Sequence, residues 1–176
     1  VTACFDGKYA RFTLEVGGQS ITLRFVVADT GSDTDHIHRR CLDALDVDLE
    51  YDHPLSVLGI SGARSSLRRL KTPAVLWLNK GTDAEISVTV KLCVMDGKDM
   101  PDGLLSVPSM ARCFMHVSPV CQAVFYTPKP WLGDKAPFVK LPFYGVDTDE
   151  SEEAKTVAAM TAAAEAIPGR RVPLPR

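Results

Sequence analysis

The residues best suited to chemistry in this chain are Asp29, Thr30, Gly31 and Ser32, which follow the apolar run at residues 25–28. A carboxylate at the end of a buried strand, followed by a hydroxyl and a glycine, lies where the backbone can turn sharply. Such a group can act as a general base on a bound water. The Asp-Thr-Gly tripeptide alone is a weak signal, because a given tripeptide occurs by chance in about 2% of chains of this length. The surrounding elements must therefore decide whether it is functional.

Alternation of apolar and polar residues predicts a β-hairpin that leads directly into Asp29. The alternation covers residues 12–16 and resumes over residues 21–27, and Gly17-Gly18 between them suits a tight turn. The motif is therefore expected at the end of a strand.

A second predicted hairpin has strands at residues 55–58 and 67–78, with Gly59, Ile60, Ser61 and Gly62 at its tip. Pro73 suits an edge or a bend within that second strand. Residues 86–94 alternate most regularly and predict the best strand of the chain. A short helix is expected to end near Met110, after a Leu-Leu pair.

The pattern changes after residue 126. Residues 1–126 are predicted to form one all-β domain, residues 127–146 a Pro-rich arm or linker, and residues 147–176 an acidic, alanine-rich helical tail. The apolar stripe of that helix is thin, so the helix needs a partner surface to be stable.

This order of features resembles the retropepsin-like aspartic peptidases, the homodimeric proteases of retroviruses and long-terminal-repeat retrotransposons. The resemblance covers about Tyr9 to Tyr126. Asp29-Thr30-Gly31-Ser32 matches the catalytic motif residue by residue, and Gly59-Ile60-Ser61-Gly62 is similar to the flap tip of Pao-type retrotransposon peptidases. Asp102-Gly103-Leu104-Leu105-Ser106 corresponds to the closing segment. The fold implied is a closed retropepsin-like β-barrel with a glycine-tipped flap hairpin and one short helix, followed by the arm and the tail helix.

The resemblance also implies an aspartic endopeptidase that needs no metal and no cofactor. Two aspartates about 3 Å apart share one proton, so one activates water while the other protonates the scissile carbonyl. The chain has one Asp-Thr-Gly, so the second Asp29 must come from another copy across a two-fold axis. The expected partners are this second copy and a polypeptide substrate, with processing of a retroelement polyprotein as the expected role.

The resemblance gives each motif residue a role. Asp29 acts on the water, Thr30 joins the two loops through its hydroxyl, Gly31 allows the turn, and Ser32 hydrogen-bonds the outer carboxylate oxygen. The segment from Gly59 to Gly62 contacts the substrate.

One departure keeps two alternatives open. Ser106 stands where the family has a glycine, and its side chain is expected to crowd the catalytic loop. Together with the C-terminal extension, it favours a non-catalytic dimerisation or peptide-binding domain as the alternative. A third hypothesis is an unrelated small β-barrel that binds a ligand and carries Asp-Thr-Gly by chance.

Other candidate sites are less well supported. Asp33, Asp35, His36 and His38 are metal-ligating types, but their spacing fits no zinc pattern, so we interpret them as surface residues beside the loop. No G-x-S-x-G elbow supports a serine hydrolase. The basic cluster of Arg64, Arg68, Arg69 and Lys71 lacks interleaved aromatics, which favours a solvated strand face over a nucleic-acid site.

Composition supports an intracellular, cytoplasmic protein without a membrane partner. The 176 residues carry 20 Lys and Arg against 22 Asp and Glu, so the net charge of -2 gives no strong field for nucleic acid. The apolar runs are too short to span a membrane. No leader precedes Val1, and five scattered cysteines favour reduced thiols. A start without Met suggests a piece of a longer polypeptide.

Overall fold

The computed structural model describes residues 2–4, 11–58 and 64–143, and strands predominate in them. Two short α-helices are present, α1 (Arg39–Asp43) and α2 (Val107–Arg112), and a 3-10 helix spans Pro130–Lys135. The prediction of an all-β chain with few helices is confirmed, although one short helix was expected within residues 1–126 and the described part of that range contains two. The strands are β1 (Thr2–Cys4), β2 (Phe12–Val16), β3 (Gln19–Leu23), β4 (Val26–Asp29), β5 (Asp35–His38), β6 (Tyr51–Leu58), β7 (Arg64–Leu70), β8 (Ala74–Leu78), β9 (Ile86–Val90), β10 (Leu92–Met95), β11 (Gly103–Leu105), β12 (His116–Ser118), β13 (Ala123–Tyr126) and β14 (Val139–Pro142).

The described strands form three sheets around one hydrophobic core. A seven-stranded sheet has the order β1-β4-β11-β5-β10-β7-β6, a four-stranded sheet the order β3-β2-β8-β9, and a three-stranded sheet the order β12-β13-β14. Side chains from all three sheets meet in the core, among them Phe12, Ile37 and Tyr126. The described strands pair as three separate sheets, and the closed barrel that the resemblance implied stays a prediction.

The first predicted hairpin is confirmed. Phe12, Leu14 and Val16 are buried on β2, and Val16 pairs with Gln19 of β3 across the turn. Gly17 and Gly18 have φ values of 56° and 82°, which favour glycine because it has no Cβ.

The second predicted strand, over residues 21–27, is interrupted. β3 ends at Leu23 in the four-stranded sheet and β4 begins at Val26 in the seven-stranded sheet. The Asp102 carboxylate fixes the bend, since its Oδ2 accepts the N–H of Arg24 at 2.7 Å and of Phe25 at 3.2 Å. The carbonyl of Phe25 in turn accepts the N–H of Asp102 at 2.8 Å.

The strand predicted over residues 86–94 is also two strands. β9 pairs with β8 in the four-stranded sheet, and β10 pairs with β5 and β7 in the seven-stranded sheet. Exposed Lys91 separates them. Burial alternates along β9, but all four residues of β10 are buried, because β10 is covered on both faces.

The second predicted hairpin is formed by β6 and β7, which pair antiparallel from Tyr51 with Leu70 to Leu58 with Arg64. The expected break near Pro73 is confirmed, since β7 ends at Leu70 and β8 begins at Ala74. The tip from Gly59 to Gly62 lies outside the described residues.

The predicted Pro-rich arm contributes secondary structure of its own. β14 pairs with β13 along its length, from Tyr126 opposite Val139 to Ala123 opposite Pro142. The arm is therefore joined to the preceding segment by a strand pair. Pro142 is compatible with the ladder because β14 is an edge strand. The tail at residues 147–176 lies outside the described residues, and the two boundaries, after residue 126 and after residue 146, stay predictions.

The four cysteines that follow β1 are free thiols. Cys41, Cys93 and Cys113 are buried, and Cys121 is half-buried. Burial raises the pKa of Cys41 and of Cys113 to about 11. These two thiols are therefore protonated and poorly nucleophilic near neutral pH. No helix among the described ranges is both long and apolar enough to cross a membrane.

Asp102 provides the first testable prediction, because it is 9% exposed and also accepts two hydrogen bonds from the Arg40 guanidinium. Burial acts to raise the pKa of Asp102, but the hydrogen bonds from Arg40 and the Arg24 N–H outweigh it and hold this pKa below its usual value. Asp102→Asn should lower the free energy of unfolding at pH 7 by about 2 kcal/mol. The NH2 group of the asparagine cannot accept a hydrogen bond, so either the Arg40 guanidinium or the N–H groups of Arg24 and Phe25 lose their acceptor.

Urea unfolding at several pH values measures this difference. A carboxyl group whose pKa is lower in the folded than in the unfolded protein stabilises the fold. This stabilisation is fully present at pH values above the unfolded-state pKa of about 3.9, and it is lost as the pH falls through the folded-state pKa. The difference between wild type and Asp102→Asn should therefore shrink below about pH 4. The matched control is Asp96→Asn, whose carboxylate pairs with Arg39 at 61% exposure and should contribute little, because water screens an exposed ion pair. Equal effects of the two variants at pH 7 would contradict the role of Asp102.

Candidate active site

Asp29 is the last residue of β4, where a buried strand reaches the surface. Val26, Val27 and Ala28 before it are 2%, 7% and 0% exposed, while Asp29 is half-buried and Thr30 is exposed. β4 lies between β1 and β11, with Asp29 opposite Thr2 and Ala28 opposite Leu105. The sheet therefore fixes the backbone that carries the carboxylate.

The Asp29 carboxylate is oriented by the loop that follows it. Its Oδ1 accepts the N–H of Gly31 at 2.9 Å, and its carbonyl accepts the N–H of Ser32 at 3.2 Å. A Cβ atom on Gly31 would lie 3.3 Å from Asp29 Oδ1, which is tighter than ordinary contact. Gly31 is not among the residues with positive φ, so what it supplies is space for the carboxylate.

The Ser32 hydroxyl has a different partner from the one that the resemblance implied. Its hydrogen is donated to the carbonyl of Thr34 at 2.7 Å, and its oxygen accepts the N–H of Thr34 at 3.3 Å. A hydroxyl has only one hydrogen to donate, so Ser32 shapes the loop and does not donate to Asp29 in this arrangement.

Helix α2 is held against the loop by a buried carboxylate. Asp35 is 5% exposed, and its two oxygens accept the N–H of Ser106 at 2.8 Å and the hydroxyl of Ser109 at 2.6 Å. The N–H of Val107 also donates to the carbonyl of Ser32 at 3.0 Å. Arg112 donates to the Ser109 hydroxyl at 2.9 Å, which completes the network.

Ser106 does not crowd the loop as expected. It is the N-cap residue of α2, with ordinary φ and ψ values of -78° and 163°, and its hydroxyl accepts the N–H of Ser109. The residue is 1% exposed, so the closing segment has room for this side chain. A helix N-cap is a favourable place for serine, because the hydroxyl satisfies an N–H that has no partner in the helix.

The residues considered for a metal site do not converge. Both nitrogens of His38 have partners, since Nδ1 accepts the N–H of Arg40 at 3.1 Å and Nε2 lies 2.8 Å from the carbonyl of Gly97. Asp35 is held by Ser106 and Ser109. Both residues are buried, so the interpretation of this stretch as surface polar residues was wrong for them. The described ranges contain no group of three or more metal-ligating side chains.

His36 lies in the same strand and contacts the loop, since its Nε2 is 3.0 Å from the Thr34 hydroxyl. Burial lowers the pKa of His36, although the carboxylates of Asp35, Asp29 and Asp33 act in the opposite direction. The imidazole is therefore uncharged near neutral pH, and the net charge next to Asp29 comes from carboxylates.

The predicted basic cluster is divided among different contacts. Arg68 lies 5.6 Å from the centre of the Tyr51 ring, and Lys71 pairs with Glu50 at 3.1 Å. Arg64 is exposed, whereas Arg69 is half-buried and pairs with Asp52 at 3.2 Å. The sequence indicated a solvated strand face, and Arg69 departs from it because its side chain is half-buried.

Two residues that position the site were missed at the sequence level. Asp35 and Asp102 are buried carboxylates whose partners lie 60 or more residues away in the chain. The only signal was their place beside the motif and in the closing segment, which did not distinguish them from exposed acids.

Comparisons with known proteins find similarity among solved structures. No protein-family model matches the chain, and no curated protein matches it significantly. Among solved structures it is similar to the crystal structure of the retroviral protease-like domain of Ddi1 from Leishmania major. The two share 13% sequence identity with a TM-score of 0.41, and the match covers 77% of this chain and 93% of that one.

The Asp35 network provides the second prediction. Asp35→Asn should lower the free energy of unfolding by about 2 kcal/mol, because an amide NH2 then meets the Ser106 N–H or the Ser109 hydroxyl. Hydrogen exchange should speed up in α2 more than in β2. The control is Asp33→Asn, the same change at an exposed residue two positions away, which should alter stability by less than about 0.5 kcal/mol. If α2 exchanges at the wild-type rate in Asp35→Asn, the carboxylate does not hold the helix.

Proposed function

We propose that this chain is an aspartic endopeptidase that acts as a homodimer, with one Asp29 from each copy. The observation that carries the proposal is the Asp29 carboxylate itself, which lies half-buried at the surface end of a buried strand with Oδ1 held by the Gly31 N–H. Among the described residues, Oδ2 has no hydrogen-bond partner. That oxygen is therefore available to a water molecule and to a second carboxyl group.

The reaction needs two carboxyl groups in different protonation states. Like charges about 3 Å apart cannot both ionise, so a pair of Asp29 residues holds one proton between them. The ionised Asp29 takes a proton from water as the water oxygen attacks the scissile carbonyl carbon. The neutral Asp29 donates its proton to the carbonyl oxygen. Return of a proton to the leaving nitrogen completes cleavage of the peptide bond.

The surface next to the motif suits a second copy of the chain. A groove of about 310 Å³ borders exposed Thr30, and its apolar lining includes Val107, Met110, Met115 and Val117. Val107 is 45% exposed in the single chain. Burial of such side chains against their two-fold equivalents would stabilise the dimer and bring the Thr30 hydroxyls of the two loops together.

The substrate proposed is an extended polypeptide that crosses the face between the loop and the β6–β7 hairpin. In this proposal the segment from Gly59 to Gly62 closes over the substrate as a flap. The natural role proposed is processing of a retroelement polyprotein inside the cell, without a cofactor.

A non-catalytic, peptide-binding dimer is the alternative. The hydrogen bond from the Ser32 hydroxyl to Thr34 favours it, because that hydrogen is then not available to orient the Asp29 carboxylate. Binding of peptides without any cleavage would support this alternative over the peptidase.

Cleavage of a peptide library by wild type and by Asp29→Asn tests the proposal. Asparagine is nearly isosteric but cannot exchange a proton, so cleavage should fall by about a thousandfold or more while the unfolding midpoint stays the same. Asp48→Asn, the same change at an exposed residue, is the control and should cleave like wild type. Substantial cleavage by the purified Asp29→Asn variant would rule out the catalytic assignment.

The pH dependence of kcat/KM gives a separate test. A pair that shares one proton should give a bell-shaped profile with its maximum below pH 7, and its two apparent pKa values belong to the pair. A chelator such as EDTA should leave the rate unchanged. A rate that keeps rising above about pH 8 would point instead to a deprotonated metal-bound water or a serine nucleophile.

A further inference from the structure

A pocket of about 390 Å³ lies directly beside the catalytic loop. Its lining includes Asp33 and Thr34 of the loop, Leu55 of β6, Arg69 of β7 and Arg112 of α2. The pocket therefore opens between the loop and the hairpin, which is the path of the polypeptide in the proposed function.

Cations outnumber acids among the residues that line this pocket. Arg69, Lys91 and Arg112 carry three positive charges, and Asp33 and Asp35 carry two negative ones. Asp35 is buried, and both of its oxygens already accept hydrogen bonds from Ser106 and Ser109. Asp33 is the exposed acid of the lining, and water screens its charge as it screens the exposed Lys91 and Arg112. Arg69 is paired with Asp52, whereas Lys91 and Arg112 have no ion-pair partner among the described residues, so these two cations remain for an acidic ligand.

The guanidinium of Arg69 has a donor without an acceptor. Its NH2 group donates to Asp52 at 3.2 Å, but its Nε is buried and lacks a hydrogen-bond partner. No other buried side-chain nitrogen or oxygen in the described part of the chain is left in this way. A buried donor without an acceptor is unfavourable. The Arg69 side chain as a whole is 36% exposed, so a ligand in the pocket can accept from the accessible part of the guanidinium.

We propose that this pocket binds the carboxylate of an Asp or Glu side chain in the substrate, a proposal that rests on the proposed function for the polypeptide nature of the ligand. A carboxylate supplies an acceptor for Arg69 and a charge for Lys91, which is exposed and has no ion-pair partner among the described residues. Arginine and lysine side chains have only donors, so a neutral amide would satisfy less of the site.

The test measures binding to the Asp29→Asn protein, so that cleavage does not interfere. The probes are fluorescent octapeptides with blocked ends that share one apolar background. Each carries a single Glu, Gln or Lys, which is moved through all positions. At one position Glu should bind about tenfold more tightly than Gln, which corresponds to about 1.4 kcal/mol. Lys at the same position should bind more weakly than Gln.

Two substitutions assign any such preference to the pocket. Lys91→Glu should abolish the preference for the Glu peptide over the Gln peptide and improve binding of the Lys peptide. Arg69→Gln should weaken binding of the Glu peptide until its affinity equals that of the Gln peptide. Lys98→Glu makes the same charge change at an exposed residue outside the pocket and should leave the Glu preference intact. Urea unfolding of each variant confirms that it is folded.

The outcomes separate this proposal from the peptidase activity. A Glu preference that disappears in Lys91→Glu and persists in Lys98→Glu supports the pocket, even if the wild type cleaves no peptide and the proposed activity fails. Equal binding of Glu and Gln at every position, or no binding by any peptide, overturns the pocket assignment, even if the wild type cleaves other peptides. A Glu preference that survives in both Arg69→Gln and Lys91→Glu overturns it as well.

Discussion

Pairing of β4 with β11 is the constraint on which the candidate site depends. The register joins Val26 to Gly103 and Ala28 to Leu105, and it places Asp29 one residue beyond the last pair. A buried carboxylate secures each end of this pair of strands. Asp102 holds the bend before β4, and Asp35 holds the start of α2 after β11. Because side-chain direction alternates along a strand, a slip of one residue would turn Asp29 to the opposite face.

The local sequence pattern correctly predicted those features of the fold that depend on contacts between residues close to each other in the chain. The β2–β3 hairpin and the bend near Pro73 follow from alternation and from glycine and proline chemistry. The alternation at residues 21–27 and 86–94 continues through points where the chain changes sheets, so each was predicted as one strand. At the first of these points a carboxylate 78 residues from Arg24 fixes the bend, and nothing in the local sequence reports that contact. The motif at Asp29 was likewise visible in the sequence, whereas the burial of Asp35 depends on partners that folding brings to it.

Buried and exposed charges have different roles in this molecule. The exposed pair of Arg39 and Asp96 is in water, where an ion pair adds little stability. Asp35 and Asp102 instead organise backbone N–H groups and hydroxyls in places that water does not reach freely, so removal of either leaves donors without acceptors. Asp35 lies beside the loop that carries Asp29, whereas Asp102 lies at the other end of β4. The loop holds Oδ1 of the Asp29 carboxylate, and Oδ2 has no hydrogen-bond partner among the described residues.

The central claim is that a single chain holds half of a catalytic site. Specific activity measured over a dilution series, together with sedimentation velocity at the same concentrations, tests this claim most directly. The account predicts that specific activity falls in proportion to the dimer fraction, because assembly follows mass action. Addition of excess Asp29→Asn chains should suppress the remaining activity by forming mixed dimers with one competent carboxyl. Constant specific activity at concentrations where only the monomer sediments would contradict the account.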